Sequence, residues 1–124
     1  MLVYLATPYS HKEPFVRHER FEKVNEVAAR LMEDGYAVFS PISHSHPIEQ
    51  HMTADQQSWE FWERQDVPIL KACDQLFVLM LDGWKESVGV RAEIEKANEL
   101  NLPIFYLDPE KYLGQSTRGI SHTI

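Results

Sequence analysis

The sequence contains one cysteine, Cys73, in 124 residues, so no disulfide can form within the chain. It holds neither the GxGxxG nor the GxxxxGKS/T pattern of phosphate-binding loops, and neither the GxSxG elbow nor the HExxH zinc pattern. No apolar run approaches the roughly 20 residues of a membrane span. Strand-like sequence that begins at Leu2 leaves no room for a signal peptide. We therefore expect a protein of the reducing cytoplasm that uses none of these motifs.

Positive charge is also scarce. The chain has 12 Lys and Arg against 19 Asp and Glu, which gives a net charge of −7. This excess argues against a nucleic acid polymer or an anionic membrane as partner, although a local basic pocket for a small anion stays compatible with it. The length and an apolar content of 44% predict one domain over residues 1–124.

What the sequence does contain is an alternation of short apolar runs and helical periods. The apolar runs predict strands at 2–7, 36–40, 75–81 and 103–108, with helices at 13–34 and 54–72 and a third one around Glu93. Such alternation indicates βαβ units around a parallel sheet. The first three strands lead into the polar segments TPYSHKE, SPISHSH and LDGWKES, where we expect the ligand. Residues 42–53 are expected to form a loop.

Glu93 lies on the wrong side of its helix. At about 100° per residue it falls inside the apolar arc of that helix, which is formed by Val90, Ile94, Ala97 and Leu100. A carboxylate on a buried face is costly unless it is paired or functional. Glu93 is therefore the first candidate for chemistry.

Asp66 shares this placement. On its own helix it falls among the apolar positions Trp59, Trp62, Ile69, Leu70 and Cys73. Two inward carboxylates on different helices predict a shared pocket and suit a nucleophile with a proton-handling partner. Pairing of each acid with Arg or Lys is the structural alternative.

Two arginines, Arg17 and Arg20, lie in the first turns of the first helix, beneath the TPYSHKE loop. Cations oppose the helix dipole at that end, which makes sense if an anion such as phosphate binds there. A surface salt bridge to Glu13 or Glu22 is the alternative.

Histidines cluster after the second strand. His44 and His46 on an extended segment would present both rings to one side, as a zinc site can require. Solvation, or stacking on a ligand, is the more ordinary use of such loop histidines. Trp84 belongs to the third polar segment and offers a stacking surface for a nucleobase.

Three segments together resemble the nucleoside 2-deoxyribosyltransferase superfamily, which includes 2′-deoxynucleoside 5′-monophosphate N-glycosidases. They are VYLATPYS with Tyr4, ERQDVPILKACD with Asp66, and SVGVRAEIEKA, in which Ser87 precedes Glu93 by six positions. The resemblance extends to about PIFYL. It implies a flavodoxin/Rossmann-like three-layer fold with a parallel sheet of four to five strands, no cofactor, and a homodimer or higher homo-oligomer.

The resemblance also implies roles for the matched residues. Glu93 would attack C1′ of the sugar, Asp66 would handle the proton of the leaving base, and Tyr4 would position Glu93. Ser87 stands where transferases of free nucleosides typically carry Asp, and a serine can donate a hydrogen bond to phosphate. With Arg17 and Arg20 this favours a nucleoside 5′-monophosphate.

The residues expected to bind substrate come from the three polar segments, from the starts of the first helix and of the Glu93 helix, and from the tail. They are Thr7, Ser10, Arg17, Arg20, His44, His46, Trp84, Ser87, Gly89 and Ser116. The leading hypothesis is an N-glycosidase that acts on a small nucleotide. Base exchange between nucleosides, a non-catalytic nucleotide-binding module and a histidine-metal hydrolase are the alternatives.

Overall fold

A four-stranded, all-parallel sheet forms the centre of the chain in the computed structural model, which describes residues 1–54 and 58–114. The strand order is β2-β1-β3-β4. The strands are β1 (Leu2–Ala6), β2 (Ala37–Phe39), β3 (Gln75–Leu79) and β4 (Ile104–Leu107). β1 is central, because it pairs with β2 on one side and with β3 on the other. Any group carried by β1 is therefore held by two neighbouring strands.

Helices cover both faces of this sheet. They are α1 (Pro14–Glu33), α2 (Pro41–Glu49), α3 (Trp59–Ala72) and α4 (Val88–Glu99), followed by a 3₁₀ turn at Pro109–Lys111. None of the helices within the described ranges is long and apolar enough to cross a membrane.

The alternation of side chains along β1 builds two separate cores. Val3 and Leu5 point to the face covered by α1, where they join the buried positions of that helix. Tyr4 and Ala6 point to the opposite face, where they join Leu70 of α3 and buried residues of α4. The α/β fold and its three layers, predicted from the sequence, are confirmed.

The expected loop at 42–53 is wrong over residues 42–49, because α2 occupies Pro41–Glu49. Pro41 stands at the start of the helix, where its missing N–H is not needed and its fixed φ is already helical. Pro47 lies in the helix interior. The two prolines that favoured a loop in the sequence therefore lie at the start and in the interior of a short helix.

The second predicted helix begins later than expected. Ser58 caps α3 by accepting a hydrogen bond from the backbone N–H of Phe61 at 3.3 Å, so the helix starts at Trp59 rather than at residue 54. Residues 55–57 lie outside the described ranges. Pro68 sits within α3 and does not end it.

Candidate functional site

A cavity of about 410 Å³ opens at the carboxyl edge of the sheet. Its walls come from the loop after β1, from the N-terminal turns of α2, α3 and α4, and from the segment before α4. This is the edge where parallel sheets bind ligands, because loops and helix N-termini converge there. The expectation that the ligand site lies beyond these strand ends agrees with this placement.

Glu93 and Tyr4 meet at one end of the cavity. Tyr4 is fully buried in β1, and its hydroxyl donates a hydrogen bond to Oε2 of Glu93. Glu93 lines the cavity with only 6% of its surface exposed. Burial raises the pKa of Glu93 to about 8; the hydrogen bond from Tyr4 lowers it and the nearby charge of Asp66 raises it further. Tyr4 thus favours the ionised form of a carboxyl group that burial keeps protonated.

Asp66 lines the same cavity from α3 and is 8% exposed. Burial raises its pKa to about 6. Its charge acts on both Glu93 and Tyr4, which places the three groups in one electrostatic unit. Between pH values of about 6 and about 8 the two carboxyl groups hold one proton between them. Such a pair can offer a carboxylate and an acid at the same time.

The start of α4 contributes Ser87 and Gly89 to the lining. The Ser87 hydroxyl caps the helix by accepting a hydrogen bond from the backbone N–H of Val90 at 3.2 Å. A Cβ at Gly89 would lie 3.7 Å from the Trp59 ring, an ordinary van der Waals distance, so the indole lies close to the first turn of α4. The backbone donors of this turn give the cavity a partial positive charge at that end.

Residues 7–13, here called the β1 exit loop, supply the next part of the wall. Thr7, Tyr9 and Ser10 line the cavity, and the first two are buried. Thr7 and Ser10 were expected at the site from the sequence. Tyr9 was missed, because a tyrosine in a polar loop gives no periodic signal.

Arg17 and Arg20 do not line the cavity, in contrast to their expected role as phosphate ligands. Arg17 donates to the carbonyl of His11. Arg20 donates through Nη1 to the carbonyl of Ser10 and through Nη2 to that of Asp82, both at 3.1 Å. The physical reason is that loop carbonyls without strand partners need donors. The two arginines are committed to holding the loops after β1 and β3.

Gly83 shows how closely Arg20 is fitted. Gly83 has φ +91, a conformation that favours glycine, and a Cβ there would lie 2.8 Å from Nη2 of Arg20. Burial lowers the pKa of Arg20 from its ordinary value.

The histidine prediction is wrong in geometry. His44 and His46 lie on α2, where a two-residue step turns them about 200° apart rather than to one side. His44 lies near the Phe39 ring, with centroids 5.9 Å apart. His46 stacks on Phe21 at 4.3 Å. No group of three or more His, Cys, Asp and Glu side chains in the described part of the chain could hold a metal ion.

Aromatic lining also differs from expectation. Trp84 is not among the lining residues, and its ring packs beside Tyr106, with centroids 5.6 Å apart. Trp59 and Trp62 line the cavity instead. Ser116, expected from the tail, lies outside the described residues.

The cavity is acidic. Four carboxylate side chains line it, namely those of Glu60, Asp66, Glu86 and Glu93. No Lys, Arg or His side chain does so among the residues that the structure describes. Glu60 and Glu86 were not expected at the site, because Glu60 lies in the first turn of α3 and Glu86 precedes α4, so helical periodicity places neither on a buried face.

The sequence profile of a family described as a domain of unknown function (DUF1937) matches residues 1–108, most of the chain. The chain belongs to the DUF1937 family. No curated protein matches this DUF1937 chain in sequence. Among solved structures it is similar to a 2-deoxyribosyltransferase from the psychrotolerant bacterium Bacillus psychrosaccharolyticus, with a TM-score of 0.60 and 23% identity. The similarity covers 86% of this chain and 71% of that one. It confirms the resemblance to the deoxyribosyltransferase superfamily at the level of the fold.

Proposed function

We propose that this DUF1937 chain cleaves the bond between base and sugar in a nucleoside 5′-monophosphate, with Glu93 as the nucleophile. One observation carries the proposal: a buried glutamate, held by a buried tyrosine hydroxyl, shares a cavity of about 410 Å³ with a second buried acid. The cavity volume lies within the range of small-molecule sites. The fold shared with a 2-deoxyribosyltransferase supports the reaction class.

In the first step the Glu93 carboxylate attacks C1′ of the sugar and forms an ester. The C1′–N bond breaks, and its electron pair passes to the nitrogen of the base, which takes a proton from Asp66. In the second step Asp66, now a carboxylate, accepts a proton from water. The resulting hydroxide adds to C1′, and Glu93 leaves as a carboxylate.

The shared proton sets the pH dependence. Because the pKa of Glu93 is the higher of the two, the shared proton lies mainly on Glu93. The productive state is the less populated arrangement, with Glu93 ionised and Asp66 protonated, and the hydrogen bond from Tyr4 favours it. Below a pH of about 6 both groups are protonated and no nucleophile exists; above about 8 both are ionised and no acid remains. The profile of kcat/KM is therefore expected to be bell-shaped between these values.

The α4 N-terminus supports a 5′-monophosphate. Ser87 and Gly89 line the cavity where α4 begins, and backbone donors of a first helical turn suit a phosphate group. The Ser87 hydroxyl can donate to a phosphate oxygen while it caps the helix, because a hydroxyl both donates and accepts.

The acidic lining favours a second candidate, base exchange on a free nucleoside. Glu60 and Glu86 would repel a phosphate, and no cationic side chain among the described lining residues offsets them. An uncharged 5′-hydroxyl meets no such repulsion. In that case a second base, rather than water, attacks the Glu93 ester.

Release of free base tests the proposal. Wild-type protein is incubated with the 2′-deoxynucleosides and ribonucleosides of the common bases and with their 5′-monophosphates, and base is measured by chromatography. We expect release from monophosphates and a loss of at least about 1,000-fold in Glu93→Gln and Glu93→Ala. Glu95→Gln, an exposed change on the same helix, is the matched control and should retain the activity. No release from any substrate refutes the proposal, and full release by the Glu93 variants removes that residue from the role.

A competing base separates the two candidates. Each reaction is repeated with a second free base present, and the products are searched for a new nucleoside or nucleotide. Free base without a new glycosidic product supports hydrolysis of the monophosphate. A new free nucleoside supports exchange.

A further inference from the structure

A buried polar atom of the cavity wall, the hydroxyl oxygen of Thr7, has no hydrogen-bond partner among the described residues. Thr7 is 5% exposed, and its Oγ1 atom makes no hydrogen bond to any residue that the structure describes. Thr7 also lines the cavity. A buried hydroxyl without a hydrogen-bond partner destabilises the folded chain, which points to a bound molecule as the partner of this one.

The loop that carries Thr7 is held by side chains of α2. Tyr9 places its hydroxyl 2.7 Å from Nδ1 of His46 and donates to Oε1 of Glu49 at 3.3 Å. Burial lowers the pKa of His46, as do the charges of His18 and Arg17, so the imidazole stays neutral near pH 7. Pro8, between Thr7 and Tyr9, is fully buried.

The same loop is also held by two arginines of α1. Arg17 holds the carbonyl of His11, and Arg20 holds that of Ser10 while its other nitrogen reaches Asp82. These contacts hold the residues that directly follow Thr7, at Tyr9, Ser10 and His11. The hydroxyl is therefore presented to the cavity in a preorganised position.

We propose that Thr7 is a substrate-binding residue whose hydroxyl forms a hydrogen bond with the nucleoside part of the ligand, an inference that rests on the proposed function. A hydroxyl can donate or accept, so either a sugar hydroxyl or a polar edge of the base can meet it. Both present the same chemistry, and separate ligands tell them apart.

The test compares Thr7→Val, which keeps the shape and removes the hydroxyl, with Thr7→Ser, which keeps the hydroxyl. Thr53→Val is the matched control, because Thr53 is exposed and does not line the cavity. All three are made in the Glu93→Gln background, so that no ligand is consumed. Calorimetric titration uses the panel of nucleosides and monophosphates, the corresponding free bases, and 2-deoxyribose 5-phosphate. Thermal unfolding is measured without ligand.

We expect Thr7→Val to bind the nucleoside or its monophosphate about tenfold more weakly, while Thr7→Ser loses less than about threefold. Thr7→Val should also unfold at the same temperature as its parent or higher, because it removes an unpaired polar group; loss of a purely structural hydrogen bond would lower that temperature. A loss seen with the free base assigns the contact to the base. A loss seen with 2-deoxyribose 5-phosphate assigns it to the sugar.

Equal affinity of Thr7→Val and its parent for every ligand overturns this inference and leaves the glycosidase proposal standing. If the wild type releases no base but ligand binding is weakened by Thr7→Val, the binding role of Thr7 holds and the catalytic proposal fails. Absence of any binding to the panel refutes both.

Discussion

The two walls of the cavity use charge in opposite ways. The acid wall (Tyr4, Asp66 and Glu93) turns its carboxyl groups into the cavity and raises their pKa values by burial. In the loop wall (residues 7–13, with the side chains of α1 and α2 that hold them), Arg17 and Arg20 lie outside the cavity lining and donate hydrogen bonds to backbone carbonyls. Under the proposed function, the acid wall carries out the reaction and the loop wall positions the substrate.

The difference follows from how each wall is made. α3 and α4 pack on the face of the sheet that carries Tyr4, so the carboxyl groups on their buried arcs lie in this core and line the cavity. The loop wall has backbone carbonyls without strand partners, and the guanidinium groups of Arg17 and Arg20 donate hydrogen bonds to them. Inward phase on a helix that packs against the sheet therefore identified cavity-lining residues (Asp66 and Glu93), whereas charge at a helix start (Arg17 and Arg20) did not.

Removal of the acid should cause the largest effect within this comparison. Asp66→Asn leaves no acid that can transfer a proton to the departing base, and we expect base release to fall by about 100-fold or more. Because the Asp66 charge raises the pKa of Glu93, that pKa should fall in the variant. The pH profile should then rise once through the lowered Glu93 pKa and keep a plateau at alkaline pH. Steady-state rates from pH 5 to 10 measure this, and a bell of unchanged width would contradict the assignment of Asp66.

Loss of the Tyr4 hydroxyl should have the next largest effect. Its hydrogen bond lowers the pKa of Glu93, so Tyr4→Phe raises that pKa and reduces the ionised fraction at pH 7. We expect kcat to fall about tenfold, in line with one lost charge-assisted hydrogen bond. Tyr106→Phe, a half-exposed change on β4 outside the lining, is the control. An unchanged kcat would place Tyr4 among purely structural residues.

The loop wall should respond through stability and substrate affinity. Arg20→Met removes two hydrogen bonds to carbonyls at a partly exposed position, and we expect the free energy of unfolding to fall by about 1–2 kcal/mol. KM should rise a few-fold with kcat nearly unchanged, because the loop loses position and the acid wall does not. Urea titration and steady-state kinetics measure the two effects, with the exposed Arg91→Met as control. A fall in kcat as large as that of Tyr4→Phe would break the division between the walls.

The sequence predicted the acid wall well and the loop wall poorly. Helical phase alone placed Glu93 and Asp66 on buried arcs, and both lie in the cavity. The parallel sheet likewise follows from regular alternation of apolar runs and helical periods. The extended segment predicted for His44 and His46 is a helix, and the prediction failed because Pro41 and Pro47 are typical of loops.

Other features of the loop wall could not be seen before folding. Arg17 and Arg20 donate to backbone carbonyls, which every residue has, so the pattern of side chains in the sequence could not predict these hydrogen bonds. The missing partner of Thr7 is likewise a property of the packed chain and not of the sequence.

Detection of the ester on Glu93 tests the central claim most directly. Wild-type protein is mixed with the monophosphate from which it releases base most rapidly, quenched in acid within milliseconds, digested and analysed by mass spectrometry. The account predicts that the peptide containing Glu93 gains the mass of the sugar phosphate less water, and that Glu93→Gln shows no such gain. Rapid base release with no adduct on Glu93, or with an adduct on another residue, would contradict it.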